Sequence, residues 1–382
     1  MAKRGNGEGS IRKRSNGLWE GRYFSGRDEK GKPKQKSVYG KTQKEVIEKL
    51  AAITNDIRSG VFLPPDQITV GQWFDIWKDE YLGGVKESTA TQYDYHIRCN
   101  IKPTIGGIEL QKLTAPMIQK LYKKRESEGL SPKSIKNLHG VIHKGLDKAV
   151  QCKYLKYNPS DACELPRVIK KEMLVLSGDK IPAFLNEIKG KKFENLFFVD
   201  LFTGLREAEI IGLTWDCVDF ENGIIHVVKQ LKRKKGNNNN YNFDTLKNGK
   251  TRKVNPAPAV FSALRKVKAE QLENQLKYGS SYENTNNLVF TNELGGHICI
   301  EHLWRCFKER AAAIGIPGLR FHDLRHSFAT ISIQNKDDIK TVSENLGHAT
   351  VAFTLDVYGH VTDTMRKESA DRMQNFIEGL GG

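Results

Sequence analysis

His322-Asp323-Leu324-Arg325-His326-Ser327-Phe328-Ala329-Thr330 is the stretch of this 382-residue chain on which the interpretation of the fold depends. Side chains three residues apart share one face of an α-helix, so His322 and Arg325 are predicted to lie side by side. In a chain this rich in basic residues, such a spacing also arises by chance. The stretch therefore gains meaning only from what precedes and follows it.

Three more stretches of the C-terminal region carry polar residues in an ordered arrangement. Thr203-Gly204-Leu205-Arg206-Glu207-Ala208-Glu209 predicts a turn into a helix, and its simplest interpretation is an exposed Arg–Glu pair. Leu346-Gly347-His348 is typical of a helix end capped by glycine. Tyr358 follows ten residues after His348, and burial is the default expectation for one of twelve tyrosines.

In this order and spacing, the four stretches resemble the tyrosine recombinase family, the phage-type integrases. That family has an arginine in a T-G-L-R-x-x-E box, a lysine in a β-hairpin, an H-x-L-R-H box, an L-G-H box and then a tyrosine. The resemblance implies these catalytic residues: Arg206, Lys247, His322, Arg325, His348 and Tyr358, the last as nucleophile. Lys247 is a choice among neighbouring lysines, because the family's Lys-Thr pair reads Lys247-Asn248 here.

These residue types suit the cutting and rejoining of DNA without ATP. A covalent bond between a tyrosine and the 3′-phosphate stores the phosphodiester energy. Two arginine forks can hold the increasingly charged phosphate, while a lysine can give a proton to the leaving 5′-oxygen. Histidines can hydrogen-bond the phosphate or move the phenolic proton. No carboxylate cluster suggests a two-metal site, so we expect neither metal nor cofactor.

Composition restricts the partner and the compartment. The chain has 61 Lys and Arg against 45 Asp and Glu, a net charge of +16, which favours a polyanion such as double-stranded DNA. No apolar run is long enough to span a membrane, and no secretory signal is visible. The six cysteines form no C-x-x-C pair, which favours a cytoplasmic protein without structural zinc or disulfides.

The first part of the chain predicts a small basic β-sheet. Residues 1–41 hold twelve Lys and Arg against four acids, and residues 18–24 alternate as a strand does. A capping box at residues 42–45 then begins a helix. The resemblance implies an arm-site DNA-binding domain over residues 1–62, and a small protein-interaction module is the alternative. The candidate DNA contacts are Arg12, Arg14, Trp19, Arg22 and Tyr23.

Two further domains are predicted after a linker at Leu63-Pro64-Pro65. Helical spacing over residues 66–163 predicts an all-α domain, which the resemblance implies is core-binding. Residues 173–382 are predicted to form a mixed α/β catalytic domain with a hairpin at Asn222-Gly223 and a terminal helix. The fold class is thus multidomain and mainly α, with small sheets. Further candidate DNA contacts are Lys133, Lys136, Lys232, Arg233, Lys250 and Arg252.

The resemblance implies a site-specific recombinase that integrates and excises a mobile element. Such an enzyme would bind core and arm attachment sites as a homotetramer, with an accessory excision or DNA-bending protein as a candidate partner. The helix past Tyr358 is expected to dock on a neighbouring protomer, the alternative being that it folds back on its own domain. Two other functions stay open: a non-catalytic DNA-binding accessory protein on the same scaffold, and a type IB topoisomerase.

Overall fold

The computed structural model describes residues 10–27, 33–58, 68–169, 173–178, 180–233 and 241–380. The chain divides into two compact units, Met1–Lys170 and Lys171–Gly382. The linker at Leu63-Pro64-Pro65 lies outside the described residues, so the boundary between the first two predicted domains stays a prediction. Within the described parts of the chain, no helix is long and apolar enough to cross a membrane.

The N-terminal sheet and helix form as predicted. Strands β1 (Ser10–Lys13), β2 (Trp19–Arg27) and β3 (Pro33–Gly40) pair antiparallel in that order, and helix α1 (Gln43–Arg58) follows. Tyr23 is buried against Val46 and Leu50 of α1, with Trp19 packed at the edge of this cluster. The sheet presses closely on the helix, because a Cβ on Gly21 would approach Val46 Cγ1 to 2.6 Å.

This packing covers the side chains of Trp19 and Tyr23 and so does not favour the DNA contacts predicted for them, which stay predictions. Alternate residues of a strand face opposite sides of the sheet, and these two rings lie on the side that α1 covers. Arg12 and Arg22 lie on the opposite face, where their side chains are about half exposed. The sequence predicted the alternation correctly, but not which face would be covered.

The second predicted domain is all-α. Its helices are α2 (Val70–Tyr81), α3 (Glu87–His96), α4 (Lys102–Ile105), α5 (Ala115–Ser127) and α6 (Pro132–Gln151). The core is tightly packed around Trp73, whose Nε1 donates to the Gly145 carbonyl at 2.8 Å. The Ser131 side chain caps α6 by accepting from the Ser134 backbone N–H. The helix ends at Gln151, and Asn158 caps a short 3₁₀ turn, Pro159–Ala162.

The C-terminal unit combines helices with two small sheets. Its elements in chain order are α7 (Lys180–Ile188), α8 (Glu194–Thr203), α9 (Glu207–Ile210), β4 (Val218–Asp219), β5 (Ile224–Val227), β6 (Lys229–Arg233), β7 (Tyr241–Thr245), β8 (Arg252–Val254), α10 (Pro258–Tyr278), α11 (Ile300–Ala313), α12 (Asp323–Gln334), α13 (Ile339–Leu346) and α14 (Val351–Leu380). Strands β4, β5 and β8 form one antiparallel sheet, while β6 and β7 form a separate hairpin. The hairpin at Asn222-Gly223 is confirmed.

The sequence does not predict the β6–β7 hairpin, because most residues of this region are polar. Leu231 supplies the apolar anchor: it is buried and pairs with Phe243 across the hairpin. Gly212 allows this close approach, since a Cβ there would lie 2.6 Å from the Leu231 backbone nitrogen. One buried leucine among four polar residues is too weak a signal to predict a strand.

Candidate active site

The C-terminal end of α13 organises a cluster of arginines. Three consecutive backbone carbonyls there each accept a hydrogen bond from a different arginine. The pairs are Arg252 Nε to Asn345 at 2.7 Å, Arg325 Nη2 to Leu346, and Arg206 Nη2 to Gly347 at 2.7 Å. Carbonyls at a helix end lack partners within the helix and carry partial negative charge, so they suit guanidinium groups.

Glu209 forms salt bridges with two of these arginines, Arg206 and Arg252. Its side chain is fully buried, with Oε1 2.7 Å from Arg206 Nη1 and Oε2 2.7 Å from Arg252 Nη2. Burial opposes ionisation of Glu209, but the hydrogen bonds and charges of Arg252 and Arg206 outweigh it and lower its pKa to about 2. The carboxylate therefore stays charged and fixes the position of both guanidinium groups.

The turn before Arg206 requires a glycine. Gly204 caps α8 with a φ of 62°, in the left-handed region, and a Cβ there would meet the Phe328 ring at 2.3 Å. Arg206 follows as the N-cap of α9, and its backbone N–H donates to Glu209 Oε2 at 2.9 Å. The T-G-L-R-x-x-E box thus places an arginine and its anchoring carboxylate within one turn.

The H-x-L-R-H box begins α12. Arg325 is only 3% exposed, and its Nη1 donates to the Gly204 carbonyl at 2.8 Å. His322, at the N-cap, is exposed to solvent. Asp323 is buried because it accepts from Arg320 Nη2 at 2.7 Å and from the Arg320 backbone, which secures the start of the helix. The carboxylate of Asp323 is therefore structural.

His348 follows the end of α13, and Lys247 lies on a turn that adjoins it. His348 Nδ1 lies 2.8 Å from Thr354 Oγ1, and burial together with the charges of Arg325 and Arg206 lowers the pKa of His348 to about 4. Lys247 is exposed in the turn between β7 and β8. Its neighbour Asn248 donates to the Gly347 carbonyl at 3.3 Å, so this turn adjoins the arginine cluster.

Tyr358 lies on α14 and is only 1% exposed. Burial raises its pKa to about 12, although the charge of Arg325 opposes the rise. Its hydroxyl lies 2.7 Å from Nδ1 of His326, the last residue of the H-x-L-R-H box. The sequence did not mark His326 as a site residue. A second histidine four residues after His322 was the available signal, because residues four apart share a helix face.

Arg252 does not fit its predicted role as a DNA contact. Its side chain is 9% exposed, and its donors are directed to Glu209 and the Asn345 carbonyl. It is an internal support for the cluster. Two other predicted contacts on the β6–β7 hairpin have protein partners, since Lys232 pairs with Asp244 and Arg233 with Glu301.

The remaining predicted DNA contacts are exposed. Lys250 lies beside Lys247 on the β7–β8 turn, whereas Lys133 and Lys136 lie on α6 in the other unit. On the N-terminal sheet, three arginines surround the nearly buried carboxylate of Glu20. These are Arg12 at 2.6 Å, Arg22 at 3.3 Å and Arg14 at 3.6 Å. None of these residues belongs to the arginine cluster at α13.

Among the described residues, one group has a spacing that would suit a metal ion, namely His143, Asp147 and Asp161 of the helical domain. Each nitrogen of the His143 ring already lies within 3.3 Å of one of the two carboxylates, an arrangement that an ordinary ion pair explains. The group is not part of the arginine cluster, which contains no set of metal ligands among the described residues.

Comparisons with known proteins identify the class. Residues 175–365 match the phage integrase family, and residues 69–125 match the phage integrase N-terminal SAM-like domain. The chain therefore belongs to the phage integrase family. It is a tyrosine recombinase, an enzyme that cuts and rejoins DNA, and the predicted family and fold are confirmed.

The chain is also similar to individual recombinases and integrases. A tyrosine recombinase XerC-like protein of Caldanaerobacter subterraneus subsp. tengcongensis is 30% identical over 369 residues, covering 92% of this chain and 94% of the relative. A Tn1549 transposon integrase solved with transposon right end DNA has a TM-score of 0.69 at 22% identity, covering 80% of this chain and 99% of that one. A lambda integrase tetramer solved on a Holliday junction has a TM-score of 0.58 at 16% identity, covering 89% and 95%.

Proposed function

We propose that this chain integrates and excises a mobile DNA element, with Tyr358 as the nucleophile that forms a 3′-phosphotyrosine intermediate. The observation that carries the proposal is the convergence of Arg206, Arg325 and His348 on the end of α13, with Tyr358 in contact with the H-x-L-R-H box. All positions that the resemblance implied for catalysis are filled, which favours an enzyme over a non-catalytic accessory protein.

The arrangement suits phosphoryl transfer through arginines. Arg206 donates one N–H to a backbone carbonyl and Arg325 donates two, which keeps both charges in place without using every donor. The remaining N–H groups of Arg206 and Arg325 would bind the non-bridging oxygens as charge builds up on the phosphate. Such preorganised donors stabilise the transition state more than the bound substrate.

Two neutral histidines and one lysine complete the proposed site. His322 is open to solvent on one side, but the protein atoms that displace water around it, together with nearby His326 and Arg325, lower its pKa to about 4. Burial and the charges of Arg325 and Arg206 do the same for His348, so both rings are neutral near pH 7. Neutral imidazoles would hydrogen-bond the phosphate without adding charge. Lys247, on the turn beside the cluster, would give a proton to the leaving 5′-oxygen.

Replacement of the nucleophile tests the proposal. Tyr358→Phe removes one hydroxyl and leaves the ring to pack, so DNA binding should persist while covalent adducts on a nicked suicide substrate disappear. Tyr278→Phe, the same change at the half-buried last residue of α10, is the control and should react normally. Adducts that resist denaturant in the Tyr358→Phe variant would show that the nucleophile lies elsewhere. Strand transfer between two duplexes separates a recombinase from a topoisomerase.

The N-terminal sheet is proposed to bind arm sites, and the helical domain to bind core sites. The sheet's open face carries Arg12 and Arg22, and Lys133 and Lys136 are exposed on α6. Removal of residues 1–60 should abolish arm-site binding and leave weak cleavage of core sites. A truncated protein that is inactive even on a nicked core substrate would mean that the sheet is required for catalysis.

We further propose a homotetramer on DNA, in the bacterial cytoplasm, with α14 as the connector. The end of this helix exposes Met373, Phe376, Ile377 and Leu380, each by more than half of its surface, and these need an apolar partner. Met365 belongs to the same predicted apolar pattern past Tyr358, but its side chain lies outside the described residues. An accessory excision or DNA-bending protein is a further candidate partner.

Deletion of residues 366–382 tests the connector. The shortened protein should bind a single site normally, because the proposed active-site residues all precede the deletion. Synapsis of two sites and strand exchange should decline. If sizing of the DNA complex still finds four protomers, α14 is not the connector and folds back on its own domain.

A further inference from the structure

The hydroxyl of Tyr358 has a defined partner that the mechanism above does not use. His326 Nδ1 lies 2.7 Å from Tyr358 Oη, a short hydrogen-bond distance, with the ring centroids 5.9 Å apart. His326 is on α12 and Tyr358 on α14, and these helices pack against each other. A nucleophile in direct contact with a base is the arrangement that activates a hydroxyl.

Burial makes an internal proton acceptor necessary. The Tyr358 ring lies in an apolar cluster with Ala329, Ile333, Val342 and Leu346, and only 1% of the residue is exposed. A pKa raised to about 12 leaves very little phenolate at neutral pH. The attacking oxygen must therefore lose its proton to a nearby group as it reacts.

The surroundings of His326 favour the neutral, accepting form. Burial and the charge of Arg325 lower the pKa of His326, and Asp323 opposes them. The ring of His322 packs edge-on against His326 with centroids 5.3 Å apart. The Nδ1 of His348 already faces Thr354 Oγ1. Among these three histidines, His326 is the one in hydrogen-bond contact with the nucleophile.

We infer that His326 is a further catalytic residue, the base that takes the phenolic proton of Tyr358 during cleavage. As the Oη–P bond forms, the O–H electron pair stays on Oη and the proton moves to Nδ1. The P–O5′ bond breaks, and the leaving oxygen takes its proton from Lys247. Rejoining reverses both transfers, so atoms and charge balance over the cycle. The inference rests on the proposed role of Tyr358.

His326→Asn tests basicity separately from hydrogen bonding. The Asn Oδ1 can occupy the place of Nδ1 and accept from the phenol, but it cannot take a proton at neutral pH. Single-turnover adduct formation should slow by about 10²–10⁴-fold, the usual contribution of a general base, with DNA affinity unchanged. His302→Asn on α11 is the control. A folded His326→Asn enzyme within twofold of the parent rate overturns the inference.

A sulfur leaving group distinguishes the two proton transfers. A substrate with sulfur at the bridging 5′ position needs no proton on departure, so it should restore Lys247→Ala but not His326→Asn. Equal restoration of both variants would place His326 at the leaving group and refute the inference. His326→Gln, with a larger side chain, is judged by the same criterion if the Asn variant does not fold.

Tyr358→Phe tests the proposed nucleophile separately from the proposed base. If it forms no adduct while His326→Asn reacts at the parent rate, the base assignment fails and the nucleophile stands. If Tyr358→Phe still forms adducts, the proposed function of Tyr358 fails first, whatever the His326 variants do.

Discussion

Two arginine clusters in this chain are each built around one glutamate, and they differ in their surroundings. In the N-terminal sheet, Arg12 and Arg22 surround Glu20; in the catalytic unit, Arg206 and Arg252 surround Glu209. Both carboxylates are covered, at 3% and 0% exposure. The arginines of the sheet are 55% and 41% exposed, whereas those of the catalytic unit are 18% and 9% exposed.

The difference shows that an ion pair acquires a fixed geometry from the burial of its members and from the other hydrogen bonds that they make. Exposed pairs are worth little, because solvent competes and long side chains lose entropy. The arginines on the sheet can therefore rearrange, as the proposed contacts with DNA would require. The arginines at Glu209 are also bound to the carbonyls at the end of α13 and are held rigidly, as the proposed stabilisation of a transition state by Arg206 would require.

The largest expected effect is on catalysis by the rigid cluster. Arg206→Ala, or Arg325→Ala separately, should slow adduct formation by about 10³-fold or more, because each removes charge from the proposed phosphate site. DNA affinity, measured by gel shift, should hardly change, since the rest of the basic surface supplies it. Equal losses in rate and affinity would mark them as ordinary phosphate contacts, and added EDTA should have no effect.

The second largest effect is expected when the carboxylate of Glu209 is removed. Glu209→Gln leaves Arg206 and Arg252 without their shared counter-charge, and breaking a buried pair costs about 3–5 kcal/mol. We expect that loss in urea unfolding, accompanied by slower cleavage. Glu293→Gln affects only exposed contacts, the pair with Lys192 and a 3.5 Å hydrogen bond from Tyr278, and is the control. A stability within 1 kcal/mol of the parent would contradict the rigid-cluster interpretation.

Acid should weaken the catalytic unit in two stages. His348 has a pKa of about 4 in the folded protein, below the ordinary value of 6.5. Its contribution to the free energy of unfolding is therefore complete above pH 6.5 and is lost as the pH falls towards 4, because the unfolded chain takes up the proton more readily. Glu209, at about 2 against 4.5, adds a loss below pH 4.5. In His348→Asn, unfolding free energy should fall less between pH 7 and 4; an identical fall would refute this.

The smallest effect is expected on the sheet. Hydrogen bonds from Arg12 and Ser37 hold the pKa of Glu20 near 2, so Glu20 is charged at neutral pH and neutralises part of the arginine charge. Glu20→Gln should therefore raise non-specific DNA affinity a few-fold and steepen its salt dependence, while arm-site preference declines. Competition binding against random DNA measures both. Unchanged salt dependence would mean that this face does not contact DNA.

Local patterns were enough to find the proposed catalytic residues. The short sequence boxes that contain Arg206, His322, Arg325 and His348 form helix ends and turns from neighbouring residues. The spacing along the sequence therefore indicates the local position of each side chain. The glycines at 204 and 347 confirm this, because both adopt the positive φ that such turns need. The three-stranded N-terminal sheet was equally readable, since alternation along a strand is a local property.

Tertiary structure alone decided which partners these side chains meet. The sequence could not show that Arg252 turns inward to Glu209, that α1 covers Trp19 and Tyr23, or that His326 reaches Tyr358, 32 residues away. Each depends on contacts between elements distant in the chain, which no local spacing encodes. Local sequence patterns were therefore sufficient to predict the family and the proposed catalytic residues. The packing of α8, α12, α13 and α14 decided their rigidity and their proton partners, because burial and charge are properties of the assembled fold.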